Sequence, residues 1–198
     1  MTQAEPSRRE QILQVASRIF REKTYHGTSL QDIADAVGMQ KGSLYYYFNS
    51  KEDLLGSIVT EALAVIDRRL ADIASRQMSP PDRLREIIRS HIRFNHEYQE
   101  ATTLFLAERN VISALWREEM VESRKRRDGL LHRTLKEGIR EGIYRCEDLQ
   151  LTVRAIVGML NASAFWYELS GPHSPEEIAD YFYRLLHYGL AVRPHPPG

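Results

Sequence analysis

Apolar residues recur every three to four positions along most of the chain, the period of helices with one buried face. Residues 8–23 place Ile12, Leu13, Ala16, Ile19 and Phe20 on one stripe. Thr28, with Gln31 three residues on, has the form of a capping box, and it predicts a short helix ending near Ala36 or Val37. Gly38 supplies a turn, and a second short helix is expected from about Gln40 to Tyr46. Ser50-Lys51-Glu52-Asp53 opens a longer helix to about Gln77, with acids in the first turn suiting its dipole. Ser79-Pro80-Pro81-Asp82 starts the next, serine at the cap and proline at the first helical position. Helices are expected over 82–97 and about 99–110, with a break near His96-Glu97. A long charged helix follows over 113–141, with Gly142 to terminate it. The most apolar helix is expected over 148–169, and Ser174-Pro175-Glu176-Glu177 opens a last one to about Val192. No strand pattern, repeat or low-complexity segment interrupts this series.

Ile33 and Val37 lie one turn apart, and Ala34 is small enough to let another helix approach. Gly38 sits where the chain turns, and Leu44 and Phe48 point back to the core. A short helix, a glycine turn and a second short helix with an apolar inner face make a helix-turn-helix. Its outer face would hold Gln40, Lys41, Ser43, Tyr45 and Tyr46, donors and flat rings on a helix thin enough for a DNA major groove. Lys51, Thr28 and Ser29 stand at helix N-termini, where free N–H groups and the helix dipole suit a phosphate. The alternative is a plain three-helix bundle in which the Tyr45-Tyr46-Tyr47 run is core.

Composition narrows the picture. The chain has 198 residues, 42% of them hydrophobic, and no apolar run approaches the roughly 20 residues that a membrane helix needs. The start MTQAEPSRRE lacks a signal-peptide core, and Cys146 is the single cysteine, both consistent with a reducing cytoplasm. The 27 basic and 27 acidic side chains cancel, which argues against a nonspecific coat for nucleic acid. Any DNA-binding surface must therefore be local, and residues 1–51 carry only a slight basic excess.

The stretch Thr28-Ser-Leu-Gln-Asp-Ile-Ala-Asp-Ala-Val-Gly-Met-Gln-Lys-Gly-Ser-Leu-Tyr-Tyr-Tyr-Phe-Asn-Ser-Lys-Glu-Asp-Leu-Leu55 resembles the DNA-binding signature of the TetR family of regulators. Ile12, Leu13, Ala16, Phe20 and Gly27 fit the first helix of that signature, so the resemblance spans about residues 8–57. It implies a homodimer, a palindromic operator, usually repression, and DNA contacts from Gln40, Lys41, Ser43, Tyr45, Tyr46 and Lys51. The expected fold is all-α with about nine helices. An N-terminal three-helix helix-turn-helix domain, residues 1–52, precedes a C-terminal helical domain for ligand binding and dimerisation, residues 53–198.

Two apolar stripes suggest the dimer interface: Val153, Ile156, Val157, Leu160, Ala164 and Phe165, then Ile178, Tyr181, Phe182, Leu185 and Leu186. Two such helix pairs would form a two-fold four-helix bundle; an ordinary intrachain core is the alternative. Candidate effector-binding residues are Phe94, Phe105, Arg109, Trp116, Asn161, Trp166 and Tyr167, aromatic walls with a few polar anchors. The segment Phe165-Trp166-Tyr167 with Gly171 and Ser174–Phe182, together with Glu137–Tyr144, is similar to TetR-type regulators that respond to acyl-CoA thioesters. Such a ligand needs cations for its phosphates, and Arg109, Arg117, Arg124, Lys125, Arg126 and Arg127 are available. The run Arg124–Arg127 also reads as a solvated helix face. Regulators of other hydrophobic or aromatic compounds, and activators, share the same parts.

No phosphate loop, HExxH or nucleophile elbow is present, and the seven histidines are scattered. The sequence therefore predicts no enzyme, no metal site and no cofactor.

Overall fold

The computed structural model describes residues 6–108, 110–112, 116–167 and 171–191. Among the described residues the chain forms nine helices of four residues or more. They are α1 (Arg8–Lys23), α2 (Leu30–Val37), α3 (Lys41–Leu44), α4 (Lys51–Ser75), α5 (Pro80–Glu97), α6 (Gln99–Ala107), α7 (Arg117–Arg140), α8 (Leu149–Trp166) and α9 (Pro175–Leu190). No strand forms among them; a single antiparallel bridge joins Tyr144 to Ala191. The all-α expectation holds. The chain groups into two compact units, residues 1–64 with 100–120 and residues 65–99 with 121–198.

In the first unit, α1 buries Ile12, Leu13, Ala16, Ile19 and Phe20, the stripe its periodicity marks. Ser7 caps it in a capping box with Glu10. The cap of α2 lies one residue later than the sequence pattern indicates. Ser29, not Thr28, accepts from the Asp32 backbone N–H, and the Asp32 carboxylate returns the bond to Ser29. Lys23 first, and Ser29 after it, hold the Asp32 carboxyl well below the usual range. The helix ends at Gly38, whose φ of 71° is the left-handed geometry that glycine tolerates. The next helix is shorter than expected. Beyond Leu44, Tyr46 and Tyr47 bond back three residues rather than four, to Ser43 and Leu44, which tightens the chain into turns. Leu44 and Phe48 are buried beneath them.

In the second unit one core collects Leu84, Ile88 and Ile92 of α5, Leu131 and Leu135 of α7, Val153, Ile156 and Leu160 of α8, and Ile178 and Ala179 of α9. The last helix packs along α5 and is opened by the Ser174–Glu177 capping box. This packing corrects the assignment of the dimer stripes. Val153, Ile156, Leu160, Ala164 and Ile178 are buried within the chain. Phe165, Tyr181 and Leu185 stay exposed, and Leu151, Trp166 and Tyr188 join them.

Candidate nucleic-acid interface and effector-binding residues

The first unit presents the residues expected to touch DNA in two ways. Gln40, Lys41, Ser43, Tyr45 and Tyr46 are all exposed, and Tyr46 is 87% so. The buried Leu44 fixes the side of α3 that faces the core, so its neighbours face out. None of these five side chains makes a hydrogen bond or ion pair among the described residues; the Tyr46 ring meets that of Tyr47 edge-on at 5.3 Å. Two phenols, an amide, a hydroxyl and an ammonium thus stand in solvent with their bonding capacity free. That set can serve base edges and phosphates together. A tyrosine exposed to this degree gains nothing for the core, and the bundle-core reading of the Tyr run is confined to the half-buried Tyr47.

Thr28, Ser29 and Lys51 belong to the framework behind that face. Thr28 is 2% exposed and its hydroxyl donates to the Thr24 carbonyl at 2.8 Å. Ser29 is exposed, with its hydroxyl engaged at the α2 cap. Lys51 Nζ donates to the Tyr25 and Thr28 carbonyls, both at 3.0 Å, and lies 4.4 Å from the centre of the Tyr25 ring. Two of its three N–H groups are therefore committed to holding the α1–α2 connection against α4. The Tyr25 phenol donates to Glu52 at 3.0 Å, and burial, then that carboxylate, push its pKa up.

The candidate effector residues divide between the units. In the first, Phe105 is half-buried. Trp116 lies against the α4 backbone so closely that a Cβ added at Gly56 would overlap its ring. Arg109 lies outside the described residues, and so does the side chain of Arg117. In the second unit, Phe94 is 5% exposed and stacks on Tyr98 at 5.1 Å. Tyr167 is buried edge-on to His96 at 5.1 Å. Trp166, by contrast, is 51% exposed and leans on Phe182, on the same outer surface as Phe165 and Tyr181.

Asn161 has the partner that a polar residue on an apolar helix requires. Its Oδ1 lies 3.0 Å from His91 Nε2. One turn along α5, Asn95 is buried and donates to the Leu160 carbonyl and the Ser163 hydroxyl, both at 2.9 Å, while its own Oδ1 has no partner. Beyond the end of α5, Gln99 at the start of α6 donates to the carbonyls of Ala164 and Tyr167 at 3.1 and 2.7 Å. His91 and Asn95, one turn apart on α5, thus form a polar pair bonded to α8, and Gln99 adds a further contact from the start of α6. The i, i+4 spacing of His91 and Asn95 is the signal in the sequence that marks them as one face of a helix.

Electrostatics separates the arginines. Four of the five arginines lining a cleft of about 780 Å³ in the second unit are paired: Arg69 with Glu97, Arg76 with Asp72 and Glu86, Arg89 with Glu86, and Arg93 with Glu176. In the charged run of α7, Arg124, Lys125 and Arg126 are exposed, Lys125 pairing with Glu122 and Arg126 with Asp67. Arg127 alone in that run turns inward. No group of three or more metal-ligating side chains occurs among the described residues, and no helix among them is long and apolar enough to cross a membrane.

The comparisons with known proteins agree with this geometry. Residues 12–58 match the model of bacterial regulatory proteins of the tetR family, and residues 77–190 match that of the tetracyclin repressor-like C-terminal domain. The HTH-type transcriptional repressor KstR2 of Mycolicibacterium smegmatis is 28% identical over 186 residues, covering 93% of this chain and 91% of the relative. The solved structure of the ketosteroid transcriptional regulator KstR2 of Mycobacterium tuberculosis has a TM-score of 0.89 and 25% identity, covering 96% of this chain and 98% of that one. AibR, crystallised with isovaleryl coenzyme A and operator DNA, has a TM-score of 0.81 and 25% identity, covering 90% of this chain and 97% of that one. These relatives are transcriptional regulators, not enzymes. With family models matching both the helix-turn-helix and the greater part of the remaining chain, this protein belongs to the TetR family of bacterial regulatory proteins.

Proposed function

We propose that the protein is a cytoplasmic, ligand-responsive transcriptional repressor that binds a palindromic operator as a homodimer and leaves it when a small molecule binds. The observation that carries this reading is the outer face of α3, where Gln40, Lys41, Ser43, Tyr45 and Tyr46 are exposed with side chains free of intramolecular hydrogen bonds and ion pairs. In the groove, the tyrosines bond phosphates and pack on thymine methyls, while Gln40, Lys41 and Ser43 reach base edges or backbone. Ser29 and Lys51, at the starts of α2 and α4, approach the phosphates; Thr28, its hydroxyl turned inward, shapes the loop that carries them. Residues 1–52 thus hold the reading head, and 53–198 the effector and dimer functions.

Dimerisation runs through the outer faces of α8 and α9. Leu151, Phe165, Trp166, Tyr181, Leu185 and Tyr188 are each more than half exposed, an apolar surface that asks for a partner. A symmetric dimer sets two reading heads about one turn of DNA apart. A ligand releases the operator by preferring a state in which that spacing is lost.

The effector we propose is an acyl-CoA thioester, its acyl group among Phe94, Asn161 and Tyr167 of the second unit, with the α7 cations from Arg124 to Arg127 serving the charged part. The resemblance of the 165–182 segment and the isovaleryl-CoA complex of AibR support this reading. Trp166 is reassigned to the dimer face, where half its surface is exposed.

The test is a gel-shift titration on the DNA upstream of the protein's own gene, with and without a panel of acyl-CoA thioesters, the matching free acids and CoA. Release by a thioester but not by its acid is the expected result. Specific binding that no thioester disturbs contradicts the effector assignment alone.

A further inference from the structure

The other described arginines that are half-buried all have partners. Arg69 pairs with Glu97, Arg83 with Glu137, Arg85 with Asp180, and Arg89 with Glu86 and Asp180. Arg127 is half-buried and makes no hydrogen bond and no ion pair. Its place on α7 is the inner face: Ser123, one turn before, and Leu131, one turn after, are both buried. Leu131 packs in the same cluster as Ile88 and Ile92 of α5 and Leu160 of α8, the residues that flank His91 and Asn161.

Asp67 and Asp128 support its charge through space, but neither bonds to it. Asp67 already accepts from Ser123 at 2.9 Å and from Arg126 at 2.7 Å. Asp128 is adjacent in sequence, and neighbours at i, i+1 on a helix do not face each other. Burial lowers the Arg127 pKa, and the guanidinium charge in turn helps hold the His91 ring neutral. A partly desolvated cation with five donors gains from any further group that accepts from it. With the His91 ring N–H donating to Asn161 Oδ1, the Asn161 NH₂ group is also left for a ligand.

We infer that Arg127 anchors an anionic oxygen group of the effector, a carboxylate or a phosphate, beside the His91–Asn161 pair in the second unit. The inference rests on the reading of an effector-controlled regulator and names the ligand's charged handle. Guanidinium suits either anion through parallel N–H bonds. The unpaired state is then that of the ligand-free protein, and stability is given up for binding at this position.

The test is thermal melting of the full chain and of Arg127→Met, each with octanoyl-CoA, octanoate, CoA or inorganic phosphate. The ligand-free variant is expected to melt higher by about 2 °C or more, because a partly desolvated charge without a hydrogen-bonded partner is gone. Wild type should be stabilised by at least one of the four probes, and the variant should need at least about tenfold more of it. Arg127→Lys should keep the wild-type melting point and part of the response. A shift with octanoate that the variant loses identifies a carboxylate; one with CoA or phosphate identifies a phosphate.

A ligand-free Arg127→Met that melts lower or fails to fold shows a structural arginine and overturns the inference. So does a variant that answers every probe as wild type does, including no answer from either. Operator release by a thioester with Arg127→Met unimpaired overturns this inference and leaves the repressor reading intact. A higher melting point and lost anion response, without release of any operator, does the reverse.

Discussion

The Lys51 ammonium lies 3.0 Å from the Thr28 carbonyl oxygen, so the first residue of α4 holds the loop that leads into α2. A second bond to the Tyr25 carbonyl, also 3.0 Å, leaves one N–H for a phosphate. Lys51→Ala should therefore act twice. It should lower stability by ~1–3 kcal/mol, the loss of charged hydrogen bonds at a half-buried site, read by urea unfolding. It should also flatten the salt dependence of operator binding by about one unit of slope. Lost stability with an unchanged slope would assign Lys51 to the framework alone.

Gly56 and Trp116 make a close approach of the kind that only glycine permits. Gly56→Ala would gain about 1 kcal/mol of helix propensity on an exposed helix. Here the added methyl overlaps the Trp116 ring, and the displacement is expected to outweigh that gain, lowering stability by ~1–3 kcal/mol. In a Trp166→Phe background, Trp116 is the single tryptophan, and its emission should move to the red as the ring is displaced. A higher melting point with unmoved emission contradicts the packing.

How much of this was legible from residues alone depends on how local the cause is. Gly38 as a left-handed stop, Ser79 and Ser174 as caps, and the stripe of α1 are decided by a few neighbouring residues, and they stand where the pattern puts them. The cap of α2 slipped by one because Thr28 and Ser29 are adjacent hydroxyls, each with a polar side chain three residues on. The apolar stripes of α8 and α9 were legible as buried faces, but periodicity does not say against what. Val153, Ile156 and Leu160 face their own chain, and the free surface lies on Phe165, Tyr181 and Leu185. The exposed set on α3 was legible because the buried Leu44 fixes the helix rotation. Arg127 was hidden inside a charged run whose other members are solvated, and only packing reveals its inward turn.

His91 predicts a pH dependence. Burial first, and then the Arg127 charge, bring its pKa down to about 4 from 6.5, against the opposing effect of the Asn161 bond. A histidine whose folded pKa is lowered contributes stability that is complete above the unfolded value and lost as pH falls. The window therefore runs from 6.5 down through about 4. His91→Gln keeps a donor for Asn161 and removes the titration. Wild type should lose melting temperature more steeply than this variant on acidification; parallel curves would contradict a buried neutral ring.

The central claim is that the exposed face of α3 reads DNA, and Tyr46, 87% exposed, tests it with least disturbance to the fold. The measurement is fluorescence anisotropy of labelled upstream DNA titrated with wild type and with Tyr46→Ala. The account predicts specific wild-type binding, at least about tenfold weaker binding by the variant, as expected for one good groove contact, and the same melting point for both proteins. Equal affinity of the two would take Tyr46 out of the interface. Weakening that comes only with a lowered melting point would mean that the ring supports the fold instead of contacting DNA.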